Sequence, residues 1–187
     1  MSHLDRMPPL ERAAMNEAQR KAADALAAGP RGGVKGPFIP LLRSPELMDR
    51  LQRVGEYLRF DSSLQPRISE FLMLIVSRQW TQQFEWAVHA PLAIRAGLKR
   101  EAVGDLQEGR RPADLQPDEA VAYDFCEELV RNRGVSDATY RRTVETFGER
   151  GVMDMLGVIG YFTAMSMVLN VARTPAPDGS TALASFP

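Results

Sequence analysis

PRISEFLMLIVSRQWTQQFEWAVHAPLAIRAG, residues 66–97, decides the fold. It reads as two consecutive helices. In the first, residues 66–80, Ile68, Phe71, Leu72, Met73, Leu74, Ile75 and Val76 leave almost no polar face, and a helix apolar all round is a buried one. Glu70 lies inside it, and at ~100° per residue its nearest stripe is Met73, Leu74 and Ser77. The expectation is a carboxyl group with little water around it. The second helix, residues 81–96, carries Gln82, Glu85 and His89 at i, i+3 and i+7, within one ~60° sector. Val88 and Leu92 flank that sector on one side and Trp86 on the other, while Ala93 and Ala96 leave space farther along it. Two carboxyl groups, an imidazole and an amide converging among apolar side chains form a candidate pocket floor. Pro91 falls inside this helix and is expected to kink it just past His89.

Outward from this pair, every segment with a pattern reads as helix. Residues 44–60 start at Ser44 with Pro45 in the first turn, and Leu47, Leu51, Val54 and Leu58 share the expected inner face. Before them, GPRGGVKGPFIPLLRSP (residues 29–45) is crowded with Gly and Pro. No strand precedes these glycines and no Gly-Lys-Ser/Thr follows, so an extended segment over the core is expected rather than a phosphate loop. Phe38, Ile39, Leu41 and Leu42 can dock there. Residues 10–28 form an alanine-rich helix for the surface or for a partner, stopped at Gly29–Pro30. Downstream, residues 99–108 form a short helix, and residues 117–133 an amphipathic one with Ala122, Phe125, Cys126, Leu129 and Val130 inward. Residues 136–147 form another, and a Gly-Glu-Arg-Gly turn at 148–151 leads into the last helix. There Gly157, Gly160 and Ala164 present small residues at helical spacing. No strand-like alternation persists, so the fold class is all-α, a single-domain helical bundle. The expected organisation is a leader and surface helix over 1–35, a helical domain over 36–173, and a loop-like tail over 174–187.

Composition bounds the function. The chain of 187 residues suits one domain with a real core. Net charge is −1, with Lys+Arg 23 against Asp+Glu 24, which gives no electrostatic footprint for nucleic acid or an acidic membrane. Residues 155–172 are uncharged and close to spanning length, yet Thr163, Ser166 and Asn170 interrupt them. A buried core helix is expected there rather than a span. The N-terminal MSHLDRMPPLER lacks the apolar segment of a secretory signal, so a cytoplasmic location is expected. The single cysteine, Cys126, rules out an internal disulfide or a two-thiol redox motif. Glu85 and His89 have a possible two-ligand metal spacing, but His-Glu-x-x-His is absent and the other histidine, His3, lies in the leader. No metal and no cofactor are expected. Each candidate also has a plainer reading: His89 as a satisfied core group, Glu70 as a partner of Arg67 or Arg78, and Trp80 and Trp86 as core.

Taken together, GPFIPLLRSPEL (36–47), LQRVGEYLRF (51–60), EFLMLIVSRQW (70–80) and QQFEWAVHAPLAIRAGL (82–98) resemble the carboxymuconolactone decarboxylase family and the alkylhydroperoxidase D-like fold that contains it. The resemblance spans residues 36–172 and is strongest over FEWAVHAPLAIRAGL. It implies an all-helical subunit, a homo-oligomer (trimer or hexamer), no cofactor, and a loop with Phe38, Pro40 and Arg43 helping to close the pocket. In the peroxidase branch of that fold, a Cys-x-x-Cys pair precedes a histidine by one and two helical turns, with a glutamate on the preceding helix. The histidine position is His89, the glutamate resembles Glu70, and the two cysteine positions hold Gln82 and Glu85. That departure removes the thiol chemistry and leaves the decarboxylase-like branch.

The residues suit such chemistry. Loss of CO₂ from a lactone acid leaves a dienolate-like anion that must be stabilised and reprotonated. A desolvated carboxyl group with a raised pKa can donate the proton, and histidine can exchange one near neutrality or hold a carboxylate. Apolar walls disfavour the ground-state carboxylate. The expected catalytic residues are Glu70, Glu85 and His89, with Gln82, Trp86, Phe38, Pro40 and Arg43 around the substrate. Three functions fit: a cofactor-free lyase on a small organic acid or lactone, a hydroperoxide-handling protein of the same fold, or a non-catalytic small-molecule-binding protein.

Overall fold

The computed structural model describes residues 5–180 and 183–184; His3 lies outside them. Eight α-helices and no strand occur among the described residues. They are α1 Glu17–Ala28, α2 Phe38–Leu41, α3 Pro45–Glu56, α4 Pro66–Gln79, α5 Gln83–Arg95, α6 Arg100–Gln107, α7 Pro117–Asn132 and α8 Asp137–Ala172. A π-helical turn, Tyr57–Asp61, follows α3 directly.

α4 is the axis of the bundle. It packs against α5, α6, α7 and α8 at once, and Ile68, Phe71, Leu72, Met73, Leu74 and Val76 are fully buried. Burying each such side chain contributes roughly 1.5–3 kcal/mol, so this one helix anchors the core. Pro66 opens it at the first helical position, where a missing N–H leaves no bond unmade and the ring presets φ. Arg67 ties the start of α4 to α7 through Asp118 at 2.7 Å and through the buried Glu119. At the far end, the Gln82 side chain caps α5 by accepting from Glu85 N at 3.0 Å. Pro91 removes one helical donor, yet α5 continues through it to Arg95.

Several segments differ from the sequence expectation, each for a local reason. The stretch 10–28 is a short 3₁₀ turn, Arg12–Ala14, followed by α1, which begins one residue after Asn16 because Asn16 and Gln19 form a reciprocal capping box. α1 is no detached surface helix: it packs on α3, and Ala23 and Leu26 join the core. On α3 the inner face is rotated from the expected one. Met48 and Gly55 are buried, whereas Leu47 and Val54 are about half exposed, at 48% and 47%. On α7, Ala122, Phe125 and Cys126 are buried as expected, while Val130 is exposed. Within α8, by contrast, the break expected near 148–151 is present: Gly148, with φ 69° and ψ 169°, is non-helical and divides α8 into two helical stretches. The tail is not free of the core. Leu183 is buried, its N–H donates to Gln83 Oε1 at 2.6 Å, and its carbonyl accepts from Gln83 Nε2 at 3.0 Å.

α8 contains an 18-residue window long and apolar enough to cross a membrane. Of that window 56% is buried against the rest of the chain, with Val158, Phe162, Met165 and Leu169 in the core. Gly157 meets Leu58 of the π-helical turn closely, while Gly160 faces open space. The small residues of α8 thus accommodate a side chain from the α3–α4 connection rather than a whole helix.

Candidate active site

The packing of α4 on α5 brings Glu70 and His89 together across 19 residues of sequence. His89 Nδ1 lies 2.6 Å from Glu70 Oε2, and His89 Nε2 lies 3.2 Å from Glu85 Oε2, one turn earlier on α5. Glu85 and His89 are buried, and the Glu70 side chain is 13% exposed. The Phe162 ring of α8 meets the imidazole edge-on at 5.1 Å between centroids. Arg67, the plainer partner expected for Glu70, is engaged instead by Asp118 and Glu119.

Two opposing effects act on His89. Burial pulls the imidazole pKa down, and hydrogen bonds to Glu70 and Glu85, with the charges behind them, outweigh it and raise the pKa from 6.5 to about 9. At neutral pH the ring is therefore an imidazolium, hydrogen-bonded to Glu70 through Nδ1 and ion-paired with Glu85 through Nε2. The bond to Glu70 is the shorter, which fixes the ring orientation. The longer contact to Glu85 leaves Nε2 the freer of the two protons.

Glu85 and His89 lie on the wall of a cavity of about 300 Å³. Phe60, Phe84, Val88, Phe162 and Met165 give it an apolar body, and Arg31, Lys35, Arg59 and Tyr161 add polar groups. The π-helical turn carries both Arg59 and Phe60 to the cavity; such turns recur at functional sites. Gly36 matters for the loop side. Its φ is +55°, and a Cβ there would come within 2.5 Å of the Phe84 ring, so only glycine lets residues 35–38 lie against the start of α5.

The structure separates the residues the sequence groups together. Phe38 lines the cavity with Glu85 and His89, and Glu70 stands behind His89. Gln82 is not on this cavity: besides capping α5 it donates to Asn170 Oδ1 at 3.1 Å. Trp86 is buried in the core and does not line the cavity. Pro40 and Arg43 line a different, apolar groove with Leu41, Met167 and Val171. The reason is the α2 turn itself, which sends residues two and five positions beyond Phe38 to another surface. Arg43 is spent on the carbonyls of Ile39 and Pro8, at 3.2 and 2.8 Å.

Sequence reasoning missed Arg31, Lys35, Arg59 and Tyr161. The boundary drawn between residues 35 and 36 cuts this wall in two, since Arg31 and Lys35 lie before it. One signal was available for Arg59 and Phe60: they end the LQRVGEYLRF segment and immediately precede the turn into α4.

Comparison with known proteins fits this architecture. No family model matches the chain, and no curated protein matches it. A solved structure does: an alkylhydroperoxidase AhpD core, an uncharacterized peroxidase-related protein from Ralstonia eutropha JMP134, with a TM-score of 0.77, 18% identity and 95% of each chain covered. Identity at that level speaks to architecture. The chain has the alkylhydroperoxidase D-like fold.

Proposed function

We propose that the chain is a cofactor-free acid–base catalyst, carboxy-lyase-like, acting on a small organic acid or lactone. The observation that carries the reading is the buried Glu70–His89–Glu85 arrangement opening on a small apolar cavity. In a decarboxylation there, the bond from carbon to the substrate carboxylate breaks and CO₂ leaves. The electron pair stays on the organic fragment as a dienolate-like anion. The His89–Glu85 pair delivers a proton to carbon and recovers it from water, while Glu70 holds Nδ1 and the ring plane. The apolar walls supply a medium of low polarity in which the anion and imidazolium attract strongly.

The test is a screen of lactones and aromatic-pathway acids with CO₂ release as readout. Turnover that requires His89 supports the reading. Proton exchange or isomerisation without CO₂ loss would keep the acid–base assignment and overturn the lyase one, and a silent screen would favour a binding protein.

A hydroperoxide-handling function, the other chemistry associated with this fold, would need a reactive thiol. Cys126 is buried on α7 away from the cavity, and burial pushes its thiol pKa well up, the opposite of an activated nucleophile. Cys126→Ala is therefore expected to leave any activity unchanged. Turnover of an organic hydroperoxide with a dithiol that disappears in this variant would contradict the assignment.

The same reading includes assembly into a homo-oligomer, a trimer or hexamer. Support comes from the exposed apolar side chains Leu47, Val54, Met167 and Val171 and the groove lined by Pro40, Leu41 and Val168. Light scattering at micromolar concentration is expected to give a multiple of 20.8 kDa; a clean monomer would refute it.

A further inference from the structure

We infer that the cavity takes its ligand as a carboxylate on an apolar body, and that Arg31 is the residue that selects the charge. The inference rests on the proposed site for where the ligand lies, and it goes beyond it in naming the group that reads the ligand.

Three cationic side chains from two segments reach the one cavity: Arg31 and Lys35 from the loop after α1, and Arg59 from the π-helical turn. Among the described residues none of the three forms an ion pair. The carboxyl groups of the site are already engaged, since Glu70 and Glu85 both pair with His89.

Arg31 differs from its two neighbours. Lys35 is exposed and Arg59 lies over the Phe60 ring at 5.2 Å. The Arg31 guanidinium is drawn inward over Phe38, 4.5 Å from the ring centroid, and its Nε and Nη2 are buried without a hydrogen-bond acceptor. Desolvated, unsatisfied donors on a cation are costly and uncommon. The fold also makes room for this arrangement. A Cβ at Gly55 would overlap Tyr161 Oη and come within 2.7 Å of Arg31 Nη2, so glycine at 55 is what lets both side chains occupy that corner. Burial pushes the Tyr161 hydroxyl up to about 12, outweighing the nearby Arg31 charge and its hydrogen bond, so the hydroxyl keeps its proton beside the guanidinium.

A planar fork of N–H donors matches a carboxylate in two parallel hydrogen bonds, which a lysine ammonium cannot reproduce. Phe60, Phe84 and Phe162 would face the ligand's apolar body, and a volume of about 300 Å³ limits it to a small acid.

The experiment compares benzoate with its uncharged analogue benzamide, by calorimetry, on wild type, Arg31→Met, Arg31→Lys and His89→Gln, with melting temperature measured on each. Wild type is expected to bind benzoate and to prefer it over benzamide. Arg31→Met should weaken benzoate by roughly tenfold or more with little change for benzamide, and Arg31→Lys should restore only part of the preference. Should Arg31→Met fail to fold, the partial loss in Arg31→Lys carries the test. No benzoate binding by wild type, equal binding of the two probes, or unchanged benzoate affinity in a folded Arg31 variant would overturn the inference. A preference that depends on Arg31 in a protein that turns over no acid or lactone would leave this inference standing and remove the catalytic one. Turnover that needs His89 but ignores Arg31 would do the reverse.

Discussion

Replacing His89 by alanine, or Glu85 by glutamine, is expected to lower turnover by about 10²-fold or more, the scale of general acid–base work. The geometry gives each change a distinct consequence. His89→Ala removes the proton carrier and leaves Glu70 and Glu85 facing a void. Glu85→Gln keeps the shape but takes the negative partner from Nε2, 3.2 Å away. Because the two groups share one proton path, the double variant should fall little further than the worse single one. A structural role would show itself differently: stability would drop by ~1–3 kcal/mol, the usual cost of an unsatisfied buried partner, with turnover per folded molecule preserved. Melting temperature and initial rate on the same samples separate the two. A folded His89→Ala protein with full turnover would remove His89 from the mechanism.

Much of the fold was legible because α4 and α5 are extreme segments. Seven large apolar residues in α4 admit a buried helix and nothing else, and Glu85 and His89 are one turn apart on any helix. Glu70 was visible as a carboxyl group in an apolar helix and was grouped with Glu85 and His89, but its direct contact with His89 Nδ1 was not. Periodicity describes one helix at a time, whereas the contact to His89 depends on how two helices fold back on each other. The same limit hid the cationic wall. Arg31 and Lys35 sit in a Gly/Pro loop without any period, and their position is set by close contacts such as Gly36 against Phe84 and Gly55 against Tyr161. Pro40 and Arg43 went wrong for the opposite reason: adjacency to Phe38 in sequence suggested a shared side, and one short helical turn carried them elsewhere. Leu183 shows how a single buried apolar residue and two hydrogen bonds to Gln83 dock a segment whose composition reads as loop.

The charge state of His89 yields the second large expectation, a loss of stability on the alkaline side. The groups that face the ring are Glu70 from α4 and Glu85 from α5, with Phe162 closing from α8. Folding raises the pKa from 6.5 to about 9, so the folded state binds the proton more tightly than the unfolded chain. The stabilisation is then fully present below about 6.5 and is lost as pH rises through about 9. Its size follows from the same two values and is roughly 3 kcal/mol. The measurement is a difference, which cancels every other titration: unfolding free energy of wild type minus that of His89→Gln, by denaturant titration between neutral and strongly alkaline pH. The difference should shrink as pH rises, and Glu70→Gln should flatten part of the slope by taking away the closer partner. A difference that stays constant across the window would mean that His89 is neutral in the folded protein. The proton proposed to reach the substrate would then have to come from a carboxyl group instead.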